Sequence, residues 1–322
     1  MYKFTLRCLV IAAWTFQLAG CFGGNKTSIT LESDVGDYIG QGSSYSYSQE
    51  NAIITTNVVD GLFSIRINGD QSWSGFFALP EGYEELQPGS YPSLTRYPFH
   101  DPAVGGLSWY GEGRGCNRLN GWIIINKVTY QDGLLTAIEL EFEQHCEGGT
   151  PALHGEVKWY AADDTMPPGP EQPIPDTLWQ PNPELLPESG NYVYLLSEPG
   201  DYIGGGQESL HLETESPITV STGSGYVSFD VAGWLGRFQA MSGLEVLETG
   251  YYGDLQRFPF HNPAKGGLSW SGNGRGCNRL SGWFAVDSVS YVGGVLSAID
   301  MRFEQHCEGN PPALLGKIHW SR

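Results

Sequence analysis

From Ile138 the chain alternates strictly: Ile138, Leu140 and Phe142 are apolar, and Glu139, Glu141 and Glu143 between them are charged. The same beat returns later, where Ile299, Met301 and Phe303 alternate with Asp300, Arg302 and Glu304. A period of two buries one face of a strand and wets the other, as in an antiparallel sheet laid over a core. Ahead of each alternation runs an aromatic and β-branched stretch, Trp122–Tyr130 in the first instance. Gln131-Asp132-Gly133, or Val292-Gly293-Gly294, joins the two and reads as a hairpin turn. No segment carries a helical period. The pattern predicts an all-β protein.

The recurrence is far longer than one strand. Residues 94–159 and 255–320 align without a gap over 66 positions, 40 of them identical. Gly36-Asp-Tyr-Ile-Gly40 recurs as Gly200-Asp-Tyr-Ile-Gly204, and Trp73 recurs as Trp234. A unit this long occurring twice means two tandem domains and not a solenoid of short repeats. The expected boundaries are 29–160 and 191–322. Many short strands with Gly-rich turns in each point to a β-sandwich, jelly-roll variants included. Between them, residues 161–190 contain eight prolines in thirty residues. Such a segment reads as a semi-rigid spacer reaching ~90 Å if fully extended at about 3.1 Å per residue. Leu178 and Trp179 are the residues in it that could dock on a domain and shorten that reach.

The N-terminus carries an address. Lys3 and Arg7 precede an apolar run from Cys8 to Phe16, followed by Leu18-Ala19-Gly20-Cys21. A basic n-region with a short apolar stretch is a secretory signal, too short to span a membrane. Its ending resembles the bacterial lipobox, which implies that residues 1–20 are removed and that Cys21 is lipidated at the head of a short tether, 21–28. Phe22 follows where an Asp would imply inner-membrane retention, so the resemblance implies the outer membrane in a Gram-negative source. Losing Lys3 and Arg7 leaves 15 basic against 36 acidic residues, a net charge of −21. Nucleic acid, bound through clustered Lys and Arg, is excluded as a partner. Adsorption to anionic lipid is disfavoured too, which leaves the acyl chains as the membrane contact.

Cys116, Cys146, Cys277 and Cys307 remain, a pair per domain, each 30 residues apart. In an exported chain an even pair per domain reads as an intradomain disulfide. If Gln131 and Asp132 form a two-residue turn, Cys116 and Cys146 face each other across the hairpin base within one residue. The second copy shows the same offset.

Several residues are candidates for chemistry. Parity places Cys146 inward with Phe142 and Glu143, His145 and Glu147 together outside; Glu304, His306 and Glu308 repeat this. Neighbours two apart on a strand lie ~6.6 Å apart, close enough for Glu and His to share an ion. With His100 and His261 as further ligands, the sharper reading is one divalent metal per domain, the sole cofactor under consideration. The plainer reading is a solvated rim with His145 bonded to Asn117. Glu143 and Glu147, ~13 Å apart on an extended strand, do not fit a glycosidase pair. Arg114, Arg118, Arg275 and Arg279 form either an anion site or ion pairs with the chain's own carboxylates. Phosphate loops lead into a helix, and this one leads into a strand. Trp73, Trp109, Trp122 and Trp159 recur as Trp234, Trp270, Trp283 and Trp320, as sugar-stacking platforms or as core. Tyr45 and Tyr47 share a strand face without a clear match in the second copy.

The set Gly-Asp-Tyr-Ile-Gly, Gly-Arg-Gly-Cys-Asn and Phe-Glu-Gln-His-Cys-Glu-Gly resembles a domain recurring in exported bacterial proteins of varied architecture, and this resemblance implies no activity. The expectation is a lipid-anchored envelope protein presenting two non-catalytic modules for a glycan or an envelope protein. A metal-dependent hydrolase and a purely structural envelope protein are the alternatives.

Overall fold

The computed structural model describes residues 25–322; the signal segment, Cys21 and most of the tether lie outside the described residues. The chain is all-β and builds two ten-stranded sheets of the same topology. In the first, the strands are β1 (Ser28–Ser33), β2 (Ser44–Ser48), β3 (Ile53–Val59), β4 (Leu62–Asn68) and β5 (Ser72–Ala78), then β6 (Gly89–Arg96), β7 (Gly106–Gly111), β8 (Leu119–Gln131), β9 (Leu134–Cys146) and β10 (Ala152–Tyr160). The spatial order is β2-β1-β10-β9-β8-β6-β7-β5-β4-β3, antiparallel throughout except for a two-rung parallel pair, β6 with β7. The second sheet, β11 (Tyr192–Ser197) to β20 (Ala313–Ser321), repeats this order strand for strand. Among the described residues the one helical element is a single 3-10 turn, Pro183–Leu185.

Each domain is thus one ten-stranded sheet curled on itself into a barrel or half-barrel. Bulges account for the curl, because an extra residue bends a strand and increases its twist. The β8–β9 ladder shifts register at Asn126 and again at Thr136, and the second domain does the same at Asp287 and Ser297. One end of the first sheet, β2, folds back over the core against β5. Tyr45 on β2 lies edge-on to Trp73 on β5 at 5.1 Å, and Trp73 Nε1 donates to the Tyr47 hydroxyl at 2.8 Å. Inside, Trp109 stacks on Phe142 at 5.0 Å, matched by Trp270 on Phe303 at 5.0 Å. Phe142 lies so close over Gly155 that any side chain there would collide with its ring, and Phe303 covers Gly316 in the same way.

The Cys116–Cys146 and Cys277–Cys307 disulfides form as the spacing predicts, but the register behind that expectation was wrong. The turn is Asp132-Gly133, closed by Gln131 and Leu134, one residue later than read from sequence. Both central residues have positive φ, 52° and 76°, which Asp and Gly accept more readily than Gln. Cys146 therefore pairs with Leu119, and Cys116 reaches it from the loop ahead of β8. Closing a loop of 30 residues restricts the unfolded chain by roughly 3–4 kcal/mol on a chain-entropy argument.

The proline-rich segment is held against the second domain. Glu171 pairs with Tyr251 as an isolated antiparallel bridge, and Gln172 Nε2 donates to the Thr249 carbonyl at 2.6 Å. The Trp179 carbonyl accepts from Arg302 Nη1 at 2.7 Å, and its ring lies parallel to Tyr194 at 6.4 Å. The extended spacer of ~90 Å is not the form observed, because the strap's own backbone and Trp179 find partners on the sheet.

Candidate functional site

The residues shared by the two repeats turn out to serve the fold. In Phe-Glu-Gln-His-Cys-Glu-Gly, Phe142 fills the core and Cys146 closes the disulfide. Gln144 is fully buried; its Oε1 accepts from Trp109 N at 2.8 Å and its Nε2 donates to Trp109 O at 2.8 Å. The side chain thereby acts as a rung for β7, whose parallel pairing with β6 ends after two residues. Gln305 does the same for Trp270. Glu147, at φ 57°, leaves the strand, and its Oε1 accepts from the backbone N–H groups of Asn117 at 2.5 Å and Arg118 at 3.2 Å. Those N–H bonds, Asn117's first, hold the Glu147 carboxyl below the usual carboxylate range. Glu308 repeats this on Asn278 and Arg279.

The metal candidates do not gather. Glu143 Oε1 meets His145 Nε2 at 3.0 Å, and Glu143 Oε2 lies 3.2 Å from His154 Nδ1. His145 Nδ1 faces the Pro151 carbonyl at 3.3 Å, and the ladder places Asn120, not Asn117, across from it. The expected His145–Asn117 bond is replaced because Asn117 belongs to the loop that Glu147 caps. Glu304 and His306 keep the 3.0 Å contact, but the position of His154 is Leu315 in the second domain, so the cluster is not duplicated. His100 and His261 sit elsewhere, packed against Tyr97 and Phe258 at 5.5 Å each, with Nδ1 buried and without a partner among the described residues. Burial pushes His261 below its ordinary value. Among the described residues no three His, Cys, Asp or Glu side chains are grouped to hold a metal ion.

The four arginines divide into two kinds. Arg118 and Arg279 are exposed and reach Glu147 and Glu308 at 3.7 and 3.8 Å, the ion pairs with the chain's own carboxylates. Arg114 and Arg275 lie over the rings of Trp73 and Trp234 at 5.5 Å. Arg114 Nε donates to the Ile39 carbonyl at 2.7 Å, joining the Gly-Arg-Gly-Cys turn to the Gly-Asp-Tyr-Ile-Gly loop. In that loop Asp37 Oδ2 accepts from Gly40 N and from the Ser33 hydroxyl, and Asp201 repeats both bonds with Gly204 and Ser197. Most repeated tryptophans are core: Trp73, Trp109, Trp234, Trp270 and Trp283 are buried.

A different surface stands out. On the outer face of β4, β5 and β7 a groove of 710 Å³ opens beside Arg114 and Trp73, within the size range of small-molecule sites. Its wall is a ladder of parallel rings: Phe76 lies 5.4 Å from Tyr97 and 5.9 Å from Tyr110, with interplanar angles of 8° and 6°. Arg66, Arg96 and Arg114 line the same groove. Arg66 pairs across the sheet with Thr55 and Ser74, and among the described residues it joins no ion pair. Arg114 Nη2 is buried and has no partner among the described residues. The one carboxylate of the lining, Glu112, accepts from Ser72 N at 2.7 Å.

Ladder register sets each of these residues against its counterpart. Phe76 corresponds to Arg237, Tyr110 to Ser271 and Arg66 to Asp230, whereas Arg96 and Arg114 persist as Arg257 and Arg275. The β4–β5 connection is also longer in the first domain, with five residues between Ile67 and Trp73 against two between Val231 and Trp234. Asn68 and Ser72, the strand ends on either side of that turn, form part of the groove wall. Sequence reading missed this surface because it sought residues common to both copies; outward-facing positions where the copies differ were the available signal. No family model matches the chain, and no curated protein or solved structure matches it either.

Proposed function

We propose that this chain is an exported, lipid-anchored envelope protein that acts by binding, with its ligand surface in the groove of the first domain. The lipobox-like Leu-Ala-Gly-Cys21 behind a signal-like segment supports the address. One observation carries the function: Phe76, Tyr110 and Arg66 build an aromatic and cationic groove where the second domain has Arg237, Ser271 and Asp230. The second domain reaches the same topology with those other residues, so packing of the fold does not call for the ring ladder. The two modules are not equivalent in this reading, since the residues that differ between them are those of the groove. The second domain serves as a docked scaffold for the first.

Two measurements test this. Cys21→Ser should release the protein from membranes, and wild-type chain lacking lipid by mass spectrometry would refute the address. In the released form, grafting the second domain's residues by Phe76→Arg, Tyr110→Ser and Arg66→Asp should weaken cosedimentation with isolated cell envelopes at least about tenfold, since losing about 1.4 kcal/mol suffices for that. Undiminished binding by the folded triple variant would show that the groove is not the ligand surface.

A further inference from the structure

Building on that reading, we infer that the groove takes an anionic glycan. The charge argument comes first. The chain has 36 acidic and 17 basic residues, yet three of its arginines line this one groove. Arg is donor-only and presents a planar fork suited to carboxylate and phosphate oxygens. Arg66 has no carboxylate opposite it on either neighbouring strand, and Arg114 Nη2 has no partner among the described residues. Glu112, the carboxylate that would repel an anion, is turned to the Ser72 N–H. Arg66 and Arg114 Nη2 therefore offer free donors in a molecule whose overall charge would otherwise repel anions.

The aromatic and hydroxyl groups select the rest of the ligand. Parallel rings offer apolar, polarisable surface suited to the C–H faces of pyranose rings, with burial of that surface as the driving term. Ser74 and Ser108 on the groove wall both donate and accept, and the Asn68 amide does likewise, matching sugar hydroxyls that do the same. An acidic peptide fits less well. The groove lies on the face of β4, β5 and β7, one strand in from the outer edge of β3, so a ligand there meets side chains and not the sheet's terminal edge, where peptide backbone would pair. Carboxylated and phosphorylated sugars share the required chemistry.

The test titrates the full chain with a short oligogalacturonate, its methyl-esterified form, a phosphorylated oligosaccharide of similar length and a polyglutamate peptide. Isothermal titration calorimetry reports occupancy. At least one anionic sugar should bind, with affinity falling as salt rises. Neutralising its charge, or introducing Arg66→Gln or Arg96→Gln, should cost about tenfold each, while Arg279→Gln, outside the groove, should change nothing. Thermal unfolding confirms that each variant is folded. Equal binding of esterified and free uronate would remove the anionic requirement, and polyglutamate binding as well as the sugars would remove the glycan requirement. Binding of neither anionic sugar would overturn the inference. If the groove graft still abolished envelope binding in those cases, the groove would stand as the ligand surface and only the ligand class would fall.

Discussion

Gln144 shows at the scale of one residue what the repeated motif is for. Its amide satisfies both backbone groups of Trp109 inside the core, where a strand would otherwise be required. Gln144→Ala leaves a buried N–H and a buried C=O unpaired, which at about 1–3 kcal/mol per group predicts a loss of about 2–6 kcal/mol. Denaturant unfolding checks this, and a loss under about 0.5 kcal/mol would mean that the groups find other partners. Parity placed Phe142 and Cys146 inward, and Gln144 between them shares that parity, but the sequence reading did not single it out. What it bonds could not be read, because Trp109 lies 35 residues away on a strand whose position only the fold defines. Glu143 and His145 were likewise placed correctly together outside, but their third neighbour, His154, came from β10, a strand no motif singled out.

At the scale of the element, the β8–β9 hairpin was legible in outline and misread in register. Its alternation and turn residues marked two strands. The two bulges then offset one another, one on each strand, so pairing is the same at the turn and at the disulfide end. Glu147 closes that end through backbone N–H bonds to the loop bearing Cys116. Because these bonds depress its folded-state pKa, and that of Glu308, their stabilisation is present above the ordinary carboxylate range of about 4.3 and is lost as pH falls through the folded value. The double variant Glu147→Gln, Glu308→Gln should melt lower at pH 7 and lose less on acidification to pH 3. A wild-type and variant pair with parallel melting curves across that range would contradict the capping role.

The whole molecule is asymmetric despite its repeat. Asp101 and Val104 of the first domain correspond to Asn262 and Lys265 of the second. Both Asp101 and Asn262 accept the same local backbone bond, from Ala103 N and Ala264 N. Only the amide has a donor left over, and Asn262 Nδ2 gives it to the Asn51 carbonyl and to Asp70 Oδ1, each at 3.0 Å, while Lys265 reaches Asp70 Oδ2 at 3.2 Å. Asp70 sits in the β4–β5 turn, between Asn68 and Ser72, the strand ends that wall the groove. Restoring the first domain's residue by Asn262→Asp sets a carboxylate against Asp70 and should weaken the domain contact by about 1–3 kcal/mol. Small-angle scattering should then show a larger radius of gyration, and proteases should cut faster in 161–190; an unchanged profile and cutting rate would show that this contact does not hold the domains.

The sequence by itself determined the elements, because side-chain period, turn residues and duplication are local or tandem patterns. An all-β chain, two domains and one disulfide in each followed from these. Tertiary structure decided what those elements do together. The curl that turns ten strands into one barrel or half-barrel comes from bulges, and the docking of the strap depends on Trp179 and Glu171 meeting the second sheet. The groove brings Phe76, Tyr97, Tyr110 and three arginines together from separate strands and loops. Motifs marked the residues the fold needs twice. The candidate site lay where the copies depart from each other, and only strand pairing shows which of those departures share one face.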